Sequence, residues 1–463
     1  MFKVLLAALT ITVGAQAQTA YTLDQCRRMA LDNNIKIRSA RYDIEAAKSQ
    51  QRDAKMAYFP TVSATGAYFH ANDYLMKDKV TLTAEQQQQM AATVQGLGLD
   101  PTALAGMPSE FTIEAIKHGV IVSLMAMEPV YAGGRITTGN KLANLQTEVK
   151  QLQLEQSQND VRQTVERYYW QIVSLHEKQR TLDAAEAQLR SIKRDADNAV
   201  NAGVALKNDQ LTVELKLNEI AANRIKLDNG LRLARLVLGQ YIGIEGEAEV
   251  VQTQSLATTQ TSQPAQDSTS AQLAEIAAPA TLFIAPDEAL QRRVESQLLD
   301  KSVEAQQLQK RMKQGERLPS LAVGVAASYN DMTSISREKL IGLATLSVPI
   351  SDWWSSTAVK RQQIAVEKAK EEREDNLQLL KIQMQSCYDN LDAAYQQVQI
   401  AQKSIEQSEE NLRMNRDFYQ AGTSSMSDLL DAQTKHQQAK DQMTDALVEY
   451  QNARTAYLVA TGR

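Results

Sequence analysis

The chain has 463 residues, a formal net charge of −5, and only 9 prolines and 19 glycines, about half the usual share of turn-forming residues. That poverty implies very long regular elements. A mean hydropathy of −0.38 with 23% charged residues excludes a polytopic helical membrane protein, and the near-neutral charge with no dense Lys/Arg block excludes the electrostatic footprint of a nucleic-acid binder.

The first residues set the compartment. Lys3 is followed by an apolar run from Val4 to Val13 and by Ala15-Gln16-Ala17, the pattern of a secretory signal peptide over residues 1–17. About 10 apolar residues are too few to cross a hydrocarbon core, which needs about 20. No cysteine follows the cleavage site, so lipid attachment there is not expected.

Two stretches contain no proline, residues 130–263 and 350–463, and each holds a helix far longer than the average of about 12 residues. In the second, Leu377, Leu380, Met384, Cys387, Leu391, Ala394, Val398, Ala401, Ile405, Ser408 and Leu412 step alternately by 3 and 4, which is a coiled-coil seam. The first has the same grammar with phase shifts, and a third seam runs from Leu429 to Tyr457. A helix over about 135–200 would be a rod of roughly 100 Å. Asn201-Ala202-Gly203 and Gln420-Ala421-Gly422 end these rods with glycine, as helix C-termini commonly do. Each is followed by a return helix, about 208–239 and about 426–461, giving two long helical hairpins.

Short charge-free segments flank the long helices. In Ser320–Tyr329 the residues Leu321, Val323, Val325, Ala327 and Tyr329 alternate with small or polar ones, the period of a membrane β-strand. Strands are expected at about 61–73, 119–128, 320–330 and 340–348. Two β-hairpins of a soluble domain would carry the same local signal. Pro129 and Pro349 lie 220 residues apart and Gly203 and Gly422 lie 219 apart, so an internal duplication is expected. It divides the chain into a first repeat (18–244), an Ala/Thr/Ser/Gln-rich link (245–285) and a second repeat (286–463), whose long helix is about 356–420. Tyr74–His118 is an insertion between the first two strands, helix-prone in part.

Chemistry is hard to place. Cys26 and Cys387 make neither a disulfide framework nor a zinc site, and the four histidines stand singly, with no phosphate loop and no Gly-x-Ser-x-Gly elbow. No catalytic residue, cofactor or metal is expected. Cys387 and His436 fall on seams and are expected to pack there.

YTLDQCRRMALDNNIKIRSARYDIEAAKSQQRDAKMAYFPTVSATGAY, the corner EPVYAGGR, and FYQAGTSSMSDLLDAQ after the second long helix resemble the TolC-type outer membrane efflux proteins over essentially the whole mature chain. The resemblance implies a mainly α fold with a membrane β part. Each protomer of a homotrimer gives four strands to a 12-stranded barrel in the outer membrane lipid, and its helices to an α-barrel in the periplasm. Physics points the same way, since four strands with open edges span a membrane only by closing with copies of themselves.

The resemblance also implies roles for residues. Asp428 and Asp431, neighbours on one helical turn, would line the periplasmic aperture, with Asp209 at the matching place of the first repeat and Tyr419 helping to tie the entrance shut. By themselves the two aspartates read equally as a solvated face near a helix N-terminus. Gly203-Val204 and Gly422-Thr423 resemble the tips that meet the periplasmic adaptor. The family's arginine two after the second turn glycine is Ser424 here, so a charged latch from that position to Asp209 is impossible. The second corner reads SDWW, and Trp353 and Trp354 replace the first corner's Gly133 and Gly134; they suit a membrane-interface anchor or packing at a helix start. The implied function is a passive exit duct of a tripartite efflux or type I secretion system, joined to an inner membrane pump. The alternative is a periplasmic structural or adaptor coiled coil that spans no membrane.

Overall fold

The computed structural model describes residues 20–96, 110–203, 206–251, 276–331, 337–350 and 357–463. The signal peptide, Val204, Trp353 and Trp354 lie outside the described residues. The elements in chain order are α1 (Leu23–Asn33), α2 (Ile35–Met56), β1 (Thr61–His70), β2 (Met76–Thr81), α3 (Ala84–Gly96), β3 (Glu110–Ala115), β4 (His118–Ala132), α4 (Arg135–Asn201) and α5 (Lys207–Ile242). They continue as α6 (Pro279–Leu282), α7 (Pro286–Arg292), α8 (Val294–Gly315), β5 (Ser320–Asp331), β6 (Arg337–Ser347), α9 (Thr357–Gln420) and α10 (Met426–Ala460). Among the described residues no helix is long and apolar enough to cross a membrane.

The chain divides into two compact units. One comprises residues up to 48 with 145–304 and 367–463; the other comprises 49–144 and 305–366. The first is helical. Its α1 starts with a capping box, in which Thr22 Oγ1 accepts from the Gln25 amide while the Gln25 side chain accepts from the Thr22 amide. At the other end of α1, Asn33 and Asn34 donate to the free carbonyls of Ile242 and Tyr241 at 3.1 and 3.2 Å, so one helix terminus closes another. Gly243 takes φ +78° beside them, and a Cβ there would lie 2.4 Å from Asn33 Cβ.

The apolar seams are buried as clusters. Val161, Val165, Tyr169 and Ile172 of α4 pack with Leu231, Leu238 and Ile242 of α5 and with Cys26 and Ile37. Leu391, Val398 and Ala401 of α9 pack with Met443, Tyr450 and Tyr457 of α10. His436 is buried on its seam, its Nδ1 3.2 Å from Ser408 Oγ. Burial pushes the Cys26 thiol up to about 11 and raises that of Cys387, which leaves both thiols as small core groups rather than nucleophiles.

A charged group joins the two hairpins. Glu166 of α4, almost fully buried, accepts from Arg27 Nε at 2.8 Å and from the Thr455 hydroxyl of α10. Nearby, Lys178 of α4 pairs with Asp445 of α10. A buried carboxylate holds its place only while its partners are intact.

The second unit carries a four-stranded antiparallel sheet in the order β1-β4-β5-β6. Val62, Ala64, Gly66 and Tyr68 pair with Ala126, Leu124, Val122 and Val120. Val122, Leu124 and Ala126 pair in turn with Tyr329, Ala327 and Val325, and Val325 and Val323 with Gly342 and Ala344. Partners across a sheet share a face, so one face is an apolar band bounded by Glu128 at one end and by Glu338 and Asp331 at the other. Its residues are exposed, Val62 at 67% and Leu340 at 79%. The opposite face mixes Ser63, Thr65, Ser123, Ser328 and Thr345 with Gly324 and Leu343.

Two features differ from the sequence expectation. The strand expected to end near residue 128 runs through Pro129 to Ala132, because the register shifts between Pro129 and Tyr131; a bulge relieves proline of a ladder hydrogen bond. The insertion holds a second sheet, β2 paired with β3, besides α3. At the strand-to-helix corner Gly133 and Gly134 take φ +61° and +75°. A Cβ on Gly133 would lie 2.3 Å from the Gly315 carbonyl oxygen, so the corner packs directly against the end of α8.

Replacing Glu166 by Ala should destabilise the protein by about 2 kcal/mol, because it strips a buried hydroxyl and an arginine of charged partners; thermal melting in detergent measures it. Gln at this position, which retains one acceptor, should cost less.

Candidate functional site

The candidate residues gather at the two turns of the helical hairpins, all in the first unit. At the first, Gly203 takes φ +76° and its amide donates to the Val200 carbonyl at 2.9 Å; α5 then starts after Leu206, which gives no side-chain cap. At the second, Gly422 takes φ +70°. The amide of Thr423 donates back to the Phe418 carbonyl at 2.9 Å and that of Gly422 to Tyr419 at 3.0 Å. This is a helix-ending loop in which a left-handed residue lets the chain satisfy orphan carbonyls. The Thr423 hydroxyl adds a bond to the Phe418 carbonyl at 3.1 Å.

Beneath the turns one apolar cluster collects four helices: Leu182, Leu189, Ile192 and Ala196 of α4, Val213 and Ile220 of α5, Leu412 of α9, and Met426, Leu429 and Leu430 of α10. Tyr419 packs against it half-buried. Its phenol is held above the usual range, first by burial and then by the negative fields of Asp209 and Asp195. Tyr419 therefore lies within the electrostatic reach of Asp209. The structure adds Asp195, which sequence reasoning missed; its signal is position, one residue before Ala196 where the α4 seam ends.

The two aspartates of the second turn are engaged within their own helix. Asp428 closes a capping box with Ser425, whose hydroxyl donates to Oδ2 at 2.6 Å and whose amide donates at 3.1 Å. Ser424 donates to the same oxygen at 3.2 Å. These bonds, the Ser425 hydroxyl foremost, hold the Asp428 carboxyl below its usual value. Asp431 pairs with Lys435 at 2.7 Å, an exposed i, i+4 pair worth little in stability. Ser424, where a charged latch was excluded, thus serves the cap. Both carboxylates remain exposed.

These hairpins and the open sheet have known counterparts. Residues 285–463 match the family model described as outer membrane efflux protein. That stretch is what resembles the outer membrane efflux protein family. Among curated proteins no relative matches. Across the whole chain the fold is that of solved outer membrane channels. The CmeC channel of Campylobacter jejuni superposes with a TM-score of 0.71 at 14% identity, covering 95% of this chain and 85% of that one. The VceC protein of Vibrio cholerae gives 0.68 at 12%, covering 95% and 96%, and the open state of the Neisseria gonorrhoeae MtrE channel gives 0.68 at 14%, covering 95% and 88%. At such low identity the likeness shows the fold alone.

Ser425→Ala should cost about 1 kcal/mol by removing the cap of α10. Hydrogen exchange should speed up at Asp428 and Leu429 while the α10 core stays protected. The Asp428 half of the box has a lowered folded pKa, so its contribution is present above the ordinary value of 3.8. It is lost as pH falls through the lower folded value.

Proposed function

We propose that the chain is the outer membrane exit duct of an efflux or type I secretion assembly: a passive homotrimeric channel that carries out no chemistry. One observation carries this reading, the exposed, mainly apolar face of a four-stranded sheet whose edge strands β1 and β6 have no outer partner among the described residues. Backbone groups on a strand edge cannot be left bare in hydrocarbon. Such a sheet is compatible with lipid only when β1 of one copy meets β6 of the next, and three copies make twelve strands. Tyr68 and Tyr329, on the apolar face toward the same end of their strands, suit the aromatic girdle of a membrane barrel.

The helices repeat the argument in water. Leu211, Leu215, Ile225 and Leu233 of α5 and Leu379, Ile382 and Ile400 of α9 are exposed, Leu215 at 68% and Ile382 at 64%. Apolar stripes on outer hairpin helices fit the neighbouring copies of a helical barrel. In that barrel Asp209, Asp428 and Asp431 ring the periplasmic mouth with Tyr419 behind them. Gly203, Val204, Gly422 and Thr423 form the tips offered to a periplasmic adaptor, which links the duct to an inner membrane pump. The membrane anchor role of Trp353 and Trp354 belongs to the same proposal.

Rings of carboxylates at a narrow mouth favour cations. Purified protein in a planar bilayer should form cation-selective channels, and Asp428→Asn with Asp431→Asn, which keeps a cap acceptor, should lower the cation-to-anion permeability ratio by up to roughly tenfold. Unchanged selectivity would reject the aperture assignment. Absence of any conductance from intact wild-type protein would reject the duct.

A further inference from the structure

The sequence presents four histidines at scattered positions, yet strand register joins two of them. His70, the last residue of β1, is paired with His118, the first of β4. The next rung outward is tied by the Ala71 amide donating to the Lys117 carbonyl at 2.8 Å. Hydrogen-bonded and non-hydrogen-bonded rungs alternate in an antiparallel ladder, so the histidines occupy the narrow rung, where Cα atoms are about 4.5 Å apart and side chains are closest. Both side chains point to one face, both are exposed, and the rings lie 6.5 Å apart, nearly stacked at 28°. Neither ring makes a hydrogen bond or ion pair among the described residues.

Asp331, opposite Val120, shares the histidines' face one rung away, and two further charged neighbours are occupied elsewhere. Asp73 pairs with Lys77 at 2.8 Å, and Lys117 lies over the Tyr74 ring at 5.5 Å. The backbone beyond the pair is fixed. The Leu75 amide donates to the Ile116 carbonyl at 3.0 Å, and Ile116 itself sits at φ +68°, a conformation a β-branched residue adopts only when its surroundings impose it.

We propose that His70 and His118 form a two-imidazole site for a divalent transition-metal ion, chelated across β1 and β4 at the rim of the sheet and completed by water. Imidazole nitrogens are the preferred protein donors for Cu2+, Ni2+ and Zn2+. Metal–nitrogen bonds of about 2.1 Å to two rings put their centroids roughly 5–6 Å apart. The observed spacing reaches that by small side-chain rotations, which exposed residues make within nanoseconds. Both histidines continue the apolar face one rung beyond Tyr68 and Val120, so the bound ion sits at the end of that face. This site stands whether or not the chain proves to be a duct.

The full-length protein in detergent, stripped with chelator, is titrated with Cu2+, the tightest binder of the series. Binding to the double variant His70→Ala, His118→Ala supplies the baseline. The expected result is one Cu2+ per chain above that baseline, with electron paramagnetic resonance showing two imidazole nitrogens. Each single alanine variant should weaken it roughly 100-fold, since the second ligand acts intramolecularly. Circular dichroism should be unchanged in all variants, because both side chains are exposed. A wild-type titration indistinguishable from the double variant, or an affinity lost on replacing only one of the two histidines, would overturn the proposal.

Discussion

An open sheet edge is the constraint on which the rest depends. Among the described residues β1 and β6 present unpaired amides and carbonyls on either side of a sheet whose one face is mainly apolar and exposed. In water such a sheet would aggregate, and in lipid an open edge is prohibited. Closure with identical copies satisfies both conditions. The same logic reaches the helices, where α5 and α9 each leave an apolar stripe uncovered while α4 and α10 bury theirs.

Within the protomer, order comes from polar groups placed where helices end or meet. Asn33 and Asn34 close the end of α5, Ser425 and Asp428 open α10, and Glu166 ties α1, α4 and α10 through Arg27 and Thr455. Long coiled-coil seams of Leu, Val and Ala are tolerant of sliding, since each seam position resembles the next. A buried carboxylate with two specific partners is not, so it fixes which turn of one helix faces which turn of another.

Much of the fold was legible because its signals are local and repeated. Long Pro-free stretches with a 3–4 step can only be long helices, and charge-free alternation such as Leu321 to Tyr329 marks strands. What escaped was non-local. The β2–β3 pair inside the insertion comes from Met76–Thr81, which carries three charges and shows little alternation, and from Glu110–Ala115, which alternates but is short and carries two glutamates. Pro129 was expected to end a strand, but a bulge carries β4 past it. At the turns, the spacing of Asp428 and Asp431 pointed to a shared face. Their immediate partners, a Ser425 cap and Lys435, required the backbone to be seen. The nearness of His70 to His118 follows from register alone, across 48 residues of sequence.

The number of chains in the detergent-solubilised particle tests the central claim most directly, and native mass spectrometry reads it. Three copies of the chain, held together without a covalent link, are what closure of the β1 and β6 edges predicts. A particle containing a single chain, stable in buffer without detergent, would contradict it.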